Sequence, residues 1–236
     1  MMQNGKLRLN VSETSNGIVH AAITAVSPKR YKIRLRLFGR TLFDTYDLRN
    51  DGNFEAFPLR DGDGIYHIEL YENVSGKNYT KVASIDFPVK LSRIDAAQLQ
   101  PNQYVNYTKN SPVVGIANVL CDGISEEIVK YNRICNYVME HYRYDYVKAV
   151  LTKSGTLPDI DGTYRKGMGI CQDLSALTVA MLRSQGIPSK LVIGYAGKQY
   201  HAWVTAKVGG KEHFFDPTAA VSNKKISKNY TIERWY

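Results

Sequence analysis

The sequence predicts an α+β protein in which strands and helices are segregated along the chain. Three observations carry that expectation. Over residues 6–91, short runs rich in β-branched and aromatic residues alternate with glycine turn signals, and no helical period appears. Beyond Asp122, apolar residues recur at helical spacing. After Pro188 strand-like runs return, two of them joined by Gly209-Gly210.

The N-terminal runs are Lys6–Val11, Ile18–Val26, Arg30–Phe38, Ile65–Tyr71 and Val82–Val89. Asn16-Gly17, Asp51-Gly52, Asp61-Gly62-Asp63-Gly64 and Ser75-Gly76 punctuate them. Tyr31, Ile33, Leu35 and Leu37 alternate with Lys32, Arg34 and Arg36, which gives one apolar and one basic face. The basic face reads as solvated strand surface, with an anion-binding stripe as the alternative. The pattern fits an all-β, immunoglobulin-like sandwich over residues 1–91. Residues 92–112 hold Pro101, Pro112 and a polar run, and read as a linker. A second domain is expected over residues 113–236.

In that domain Ser125 is placed to cap a helix, with Glu126 and Glu127 in the first turn where the helix dipole favours acids. Ile128, Tyr131, Cys135, Val138 and Tyr142 mark its apolar face. A second helix is expected over Cys171–Gln185, with Leu174, Leu177 and Met181 on one face and Gly186 and Pro188 as its stop. Strands are expected at Lys190–Tyr195, His201–Val208 and Lys211–Asp216.

Composition narrows the function classes. The 236 residues carry 31 Lys+Arg against 22 Asp+Glu, a net charge of +9. That excess permits an anionic partner, but no stacking motif accompanies the basic strand, so nucleic acid is not expected. No run reaches the roughly 18 apolar residues of a membrane span. Met1-Met2-Gln3-Asn4-Gly5-Lys6 has no apolar leader core, which reads as cytoplasmic; a surface or extracellular location follows only if a leader was trimmed. Three cysteines argue for reduced thiols over a disulfide framework. No paired Cys or His spacing supports zinc, and Asp159-Ile160-Asp161-Gly162 lacks the later ligands of a calcium loop and reads as a turn. No metal or other cofactor is expected.

The cysteines are not equivalent. Cys135 sits on a helical apolar face and reads as a small buried hydrophobe. Cys121 offers no defined chemistry. Cys171 follows Lys166-Gly167-Met168-Gly169-Ile170 and opens a helix. A helix N-terminus presents free N–H groups and a positive dipole end, which favour thiolate and can receive an oxyanion. Two histidines compete to be its base. If Gly209 and Gly210 are the two loop residues, Val208 faces Lys211 and Trp203 faces Asp216. His201, Trp203, Thr205, Phe214 and Asp216 then share one face, while Ala202, Val204, Ala206, His213 and Phe215 share the other, expected to be the core-facing one. His201 and Asp216 become diagonal neighbours, and His213 points away from Asp216. The candidate constellation is Cys171 as nucleophile, His201 as base and Asp216 as the group that orients the imidazole.

Those residues sit in stretches that resemble the transglutaminase-like superfamily. The stretches are Gly169-Ile170-Cys171-Gln172-Asp173, Leu182 through Tyr195, His201-Ala202-Trp203-Val204 and Phe215-Asp216-Pro217-Thr218. The resemblance covers about residues 113–236. It implies a papain-like core with the Cys helix packed on an antiparallel sheet, and Cys171, His201 and Asp216 match its triad. It further implies cysteine-dependent acyl transfer on a peptide or glutamine-type amide through a thioester. Hydrolysis is the favoured outcome, with transamidation of a lysine-type amine as the alternative and a catalytically silent binding module as the third reading. The expected partner is a protein or peptide substrate, cell-wall peptide included. The side-chain donor that would complete the oxyanion hole has three candidates, Tyr142, Tyr144 and Tyr164. The calcium sites of animal transglutaminases have no recognisable counterpart.

Overall fold

A computed structural model describes residues 1–153, 155–222 and 229–236, which fall into two compact units, Met1–Gln100 and Pro101–Tyr236. The first unit is a sandwich of two four-stranded antiparallel sheets. One sheet contains β1 (Met2–Asn4), β2 (Leu7–Asn10), β3 (Ile18–Ile23) and β6 (Glu55–Pro58), in the order β1-β2-β3-β6. The other contains β4 (Tyr31–Leu37), β5 (Asp44–Leu48), β7 (Gly64–Ser75) and β8 (Asn78–Val89), in the order β5-β4-β7-β8. Leu7, Leu9, Val19, Ile33, Leu35, Phe57, Ile68 and Leu70 are buried, and the Tyr46 and Phe57 rings meet between the sheets at 5.2 Å.

Period-two alternation made β4 legible: Tyr31, Ile33 and Leu35 are buried, while Lys32, Arg34 and Arg36 stay part-exposed. The basic face is balanced by its neighbours. Lys32 pairs with Asp47 at 2.6 Å, and Arg34 and Arg36 lie over the Phe43 ring at 4.0 and 4.4 Å. Strands β1, β5 and β6 were not expected. β1 is three residues long, β5 is largely polar on its outward side, and β6 ends in proline, so none carries a full apolar alternation.

The stretch 92–112, expected as a linker, is divided between the units. Ala96 and Ala97, in a short 3-10 turn, are buried in the first; Asn102 and Val105 are buried in the second. Gly17 explains the close fit of that turn. Its φ is +83°, and a Cβ there would lie 2.3 Å from the Ala97 nitrogen.

The second unit begins with α1 (Pro112–Cys121) and α2 (Glu127–His141). Helix α1 was missed, although Ser111-Pro112 is a start signal and Val113, Val114, Ala117 and Cys121 bury one face. Helix α2 starts a residue later than Ser125 allows: its N-cap is Glu126. Its buried residues are Tyr131, Ile134, Cys135 and Val138, while Ile128, expected on that face, is exposed. Then come β9 (Arg143–Tyr144), α3 (Tyr146–Leu151), α4 (Ile160–Lys166), β10 (Met168–Gly169) and α5 (Cys171–Ser184), with β9 and β10 forming a short parallel pair.

Strands β11 (Ser189–Ala196), β12 (Gln199–Val208) and β13 (Lys211–Phe215), helix α6 (Pro217–Ser222) and strand β14 (Tyr230–Trp235) complete the unit. The sheet order is β13-β12-β11-β14. Helix α5 is the centre: Leu174, Leu177, Val179, Ala180 and Met181 have no exposed surface, and the helix packs on β11, β12, α1, α2 and α4. Buried Arg183 ties its end to the sheet, donating to the Ser189 and Tyr236 carbonyls. Among the described residues no helix is long and apolar enough to cross a membrane.

Candidate functional site

Cys171 is the first residue of α5. Its approach is fixed by backbone geometry. Gly167 closes α4 at φ +64°, in the left-handed region. Gly169 is needed for space: a Cβ there would sit 2.8 Å from the Asp173 Cβ and 3.0 Å from Thr163. Asp173, fully buried, holds the helix start from inside. It accepts the Ile170 N–H at 3.0 Å and the Asp159 N–H at 3.2 Å, and pairs with Lys148 Nζ at 2.7 Å. A buried carboxylate with three donors is compensated, and its acid character suits the first turn of a helix.

His201 enters from β12. The hairpin has the expected register, Val208↔Lys211 through Val204↔Phe215, and Gly209 and Gly210 hold φ values of +56° and +79°. Two consecutive positive φ values are the requirement of a type I′ turn. The ladder stops at Phe215, so Asp216 does not face Trp203 in a strand. Asp216 instead precedes Pro217 and α6: its Oδ1 accepts the Ala219 N–H at 3.1 Å, and its carbonyl accepts the Ala220 N–H. Its other oxygen, Oδ2, meets His201 Nε2 at 2.9 Å. Both side chains are buried, at 2% and 6% exposure.

The expectation of one core-facing side of β12 needs correction. Ala202, Val204 and Ala206 are buried as expected, but so are His201, Trp203 and Thr205 on the opposite side. Phe214 and Tyr230 cover that side, with ring centroids 4.8 Å apart. His213 lies away from Asp216, its ring 5.4 Å from that of Tyr131 in α2.

Cys171 lies close enough to the His201 ring to act on its proton affinity. With Nε2 on Asp216, the nitrogen left for the thiol is Nδ1. Burial alone pulls the imidazole down. The hydrogen bond to Asp216 and the Cys171 side chain, with the negative charge of both groups, outweigh it and carry the ring from 6.5 to about 9. Burial pushes Asp216 up, but the His201 and Tyr230 hydrogen bonds and the His201 charge hold it below the usual carboxylate value. Of the other cysteines, Cys135 is driven up to about 12 by burial and Cys121 is also raised.

The three tyrosines considered as oxyanion donors separate. The Tyr142 phenol is buried, its ring edge-on to Tyr137 at 6.1 Å. Tyr144, on β9, is the one whose phenol feels Cys171; burial first, then the Cys171 charge, raises it to about 12. Tyr230 was missed altogether. Its Oη donates to Asp216 Oδ2 at 2.7 Å, and no motif around residue 230 announces it. Asp159 caps α4 by accepting the Gly162 N–H at 2.9 Å, so the Asp159–Gly162 segment is a helix start. Among the described residues no group of three or more His, Cys, Asp or Glu could hold a metal ion.

Residues 115–217 match the model of the transglutaminase-like superfamily. A protein of Mycobacterium leprae with no assigned activity is 35% identical over 98 residues; the match spans 34% of this chain and 34% of that relative. Among solved structures, a Cytophaga hutchinsonii protein provisionally described as a cysteine protease is similar at a TM-score of 0.46 and 17% identity, covering 93% of this chain and 88% of its own. Red sea bream transglutaminase is similar at 0.35 and 11%, covering 85% and 48%.

Proposed function

We propose that this chain, a member of the transglutaminase-like superfamily of cysteine-dependent enzymes through residues 115–217, transfers the acyl group of a peptide or glutamine-type amide to Cys171 and then to water. The observation that carries the reading is buried His201, hydrogen-bonded to Asp216 at 2.9 Å and raised by the Cys171 side chain close by.

The steps follow from that arrangement. His201 takes the thiol proton, and Asp216 stabilises the resulting imidazolium. The thiolate attacks the amide carbonyl. The Cys171 N–H at the start of α5, with the Tyr144 hydroxyl as second donor, receives the oxyanion. The imidazolium then protonates the leaving amine, the C–N bond breaks, and a thioester remains. Water, deprotonated by His201, attacks the thioester and releases the acid and the free thiol.

Hydrolysis is preferred over transamidation because a lysine-type amine, with a pKa of about 10.4, is mostly protonated at neutral pH. Acceptance of an amine requires a site that strips its proton and excludes water. The substrate is a peptide or protein amide, cell-wall peptide included. The test is a panel of peptide, glutamine and cell-wall-peptide amides, with ammonia or amine release measured with and without an added primary amine. Acid product is expected, absent in Cys171→Ser. Amine incorporation that exceeds acid product overturns the hydrolytic reading, and no turnover on any amide overturns the enzyme.

A further inference from the structure

We infer that Tyr230 is a positioning residue of this site, whose hydroxyl shares one Asp216 oxygen with His201 and so sets how tightly the carboxylate grips the imidazole. The inference rests on the acyl-transfer reading and adds a control on its base.

The geometry is specific. Tyr230 Oη donates to Asp216 Oδ2 at 2.7 Å, and His201 Nε2 meets the same oxygen at 2.9 Å. The Ala219 N–H takes Oδ1 at 3.1 Å. Together these donors fix the carboxylate plane, and with it the direction in which Nδ1 points. The phenol is itself locked. Its ring stands edge-on to Trp203 at 5.0 Å and to Phe214 at 4.8 Å, and lies 6.4 Å from the His201 ring. Tyr230 also lines an open groove of about 510 Å³, together with Trp203, Phe214, Ile232 and residues of β12 and β13.

Two donors on one oxygen compete. Each draws charge from Oδ2, and the neutral phenol weakens the grip of the carboxylate on the imidazolium without abolishing it. Among the described residues, the titratable groups around this cluster are Cys171 from α5, Asp216 ahead of α6 and Tyr144 from β9 near the thiol, while Glu212 and His213 of β13 line the groove that Tyr230 also lines. Glu212 is held by Lys190 at 2.9 Å. Tyr230 is the group that touches the shared oxygen directly, so removing its hydroxyl acts on Asp216 before anything else.

The experiment uses the full chain and Tyr230→Phe, which keeps the ring and deletes the donor. The His201 ring is titrated by NMR, and iodoacetamide labelling of Cys171 is followed against pH. The His201 midpoint is expected to rise by about 0.5–1 pH unit, with the alkaline limb of labelling moving up alongside it. On the Asp216→Asn background the same substitution is expected to shift nothing. An unchanged or lowered midpoint in the folded variant overturns the inference. Tyr230→Met, which also lacks the hydroxyl, serves if the Phe variant does not fold. The two readings fail separately. If Cys171 labelling does not depend on His201, the enzyme reading falls, while the ring titration still decides the role of Tyr230.

Discussion

At the scale of single residues, the imidazole between Cys171 and Asp216 carries most of the consequences. A ring raised to about 9 is protonated across neutral pH, which suits a thiolate–imidazolium pair. His201→Ala is expected to slow iodoacetamide labelling of Cys171 about 10²–10⁴-fold at pH 6, with Cys121 and Cys135 unaffected. The same shift has a stability sign. Because the folded value lies above the unfolded one of 6.5, the pair contributes fully below pH 6.5, and that contribution is lost as pH rises through about 9. Thermal melts from pH 6 to 10 should show a fall in the native chain that is absent in His201→Ala. Asp173 matters through its contacts. Asp173→Ala leaves Lys148 and two backbone N–H groups without their acceptor, and should cost about 3–5 kcal/mol in denaturant unfolding.

At the scale of elements, two strands meet at a point that only glycine tolerates. Gly194 on β11 lies opposite His201 on β12 and against β14, where a Cβ would fall 1.9 Å from the Thr231 carbonyl oxygen. The register of β11 and β14 shifts at that point. Gly194→Ala must therefore push β14 away and carry Tyr230 with it. The expected cost is about 1–3 kcal/mol, accompanied by a displaced His201 ring resonance. A stability loss with the resonance unmoved would mean that the bulge does not hold Tyr230. The hairpin of β12 and β13 shows how much an element can reveal on its own. Gly209-Gly210 fixed its register, while the side chain beyond its end, Asp216, was placed by the start of α6.

At the scale of the whole molecule, two units carry separate cores. We propose that residues 101–236 fold alone and keep His201-dependent labelling of Cys171; circular dichroism and the labelling assay on that fragment check it. The sandwich has its own acid sensitivity. Glu72, 6% exposed, is drawn from 4.5 to about 2 by hydrogen bonds from Lys29, Lys6 and Tyr31. A depressed carboxylate stabilises the fold above pH 4.5, and that contribution is lost as pH falls toward 2. Glu72→Gln should flatten the acid limb of the melting profile and leave Cys171 labelling unchanged.

The sequence by itself determined what repeats locally. Alternation along Tyr31–Leu37, the turn glycines, the start of a helix at Cys171 and the Gly209-Gly210 register each depend on neighbours a few residues away, so backbone sterics and apolar period reveal them. Tertiary structure alone decided the contacts between distant segments. Asp173 and Lys148 meet from 25 positions apart, the Tyr144 phenol comes up beside the thiol, and Tyr230 reaches Asp216 from a strand on the far edge of the sheet. None of these follows from a period, because a long-range contact is set by how whole elements pack and leaves no mark on the spacing of either partner.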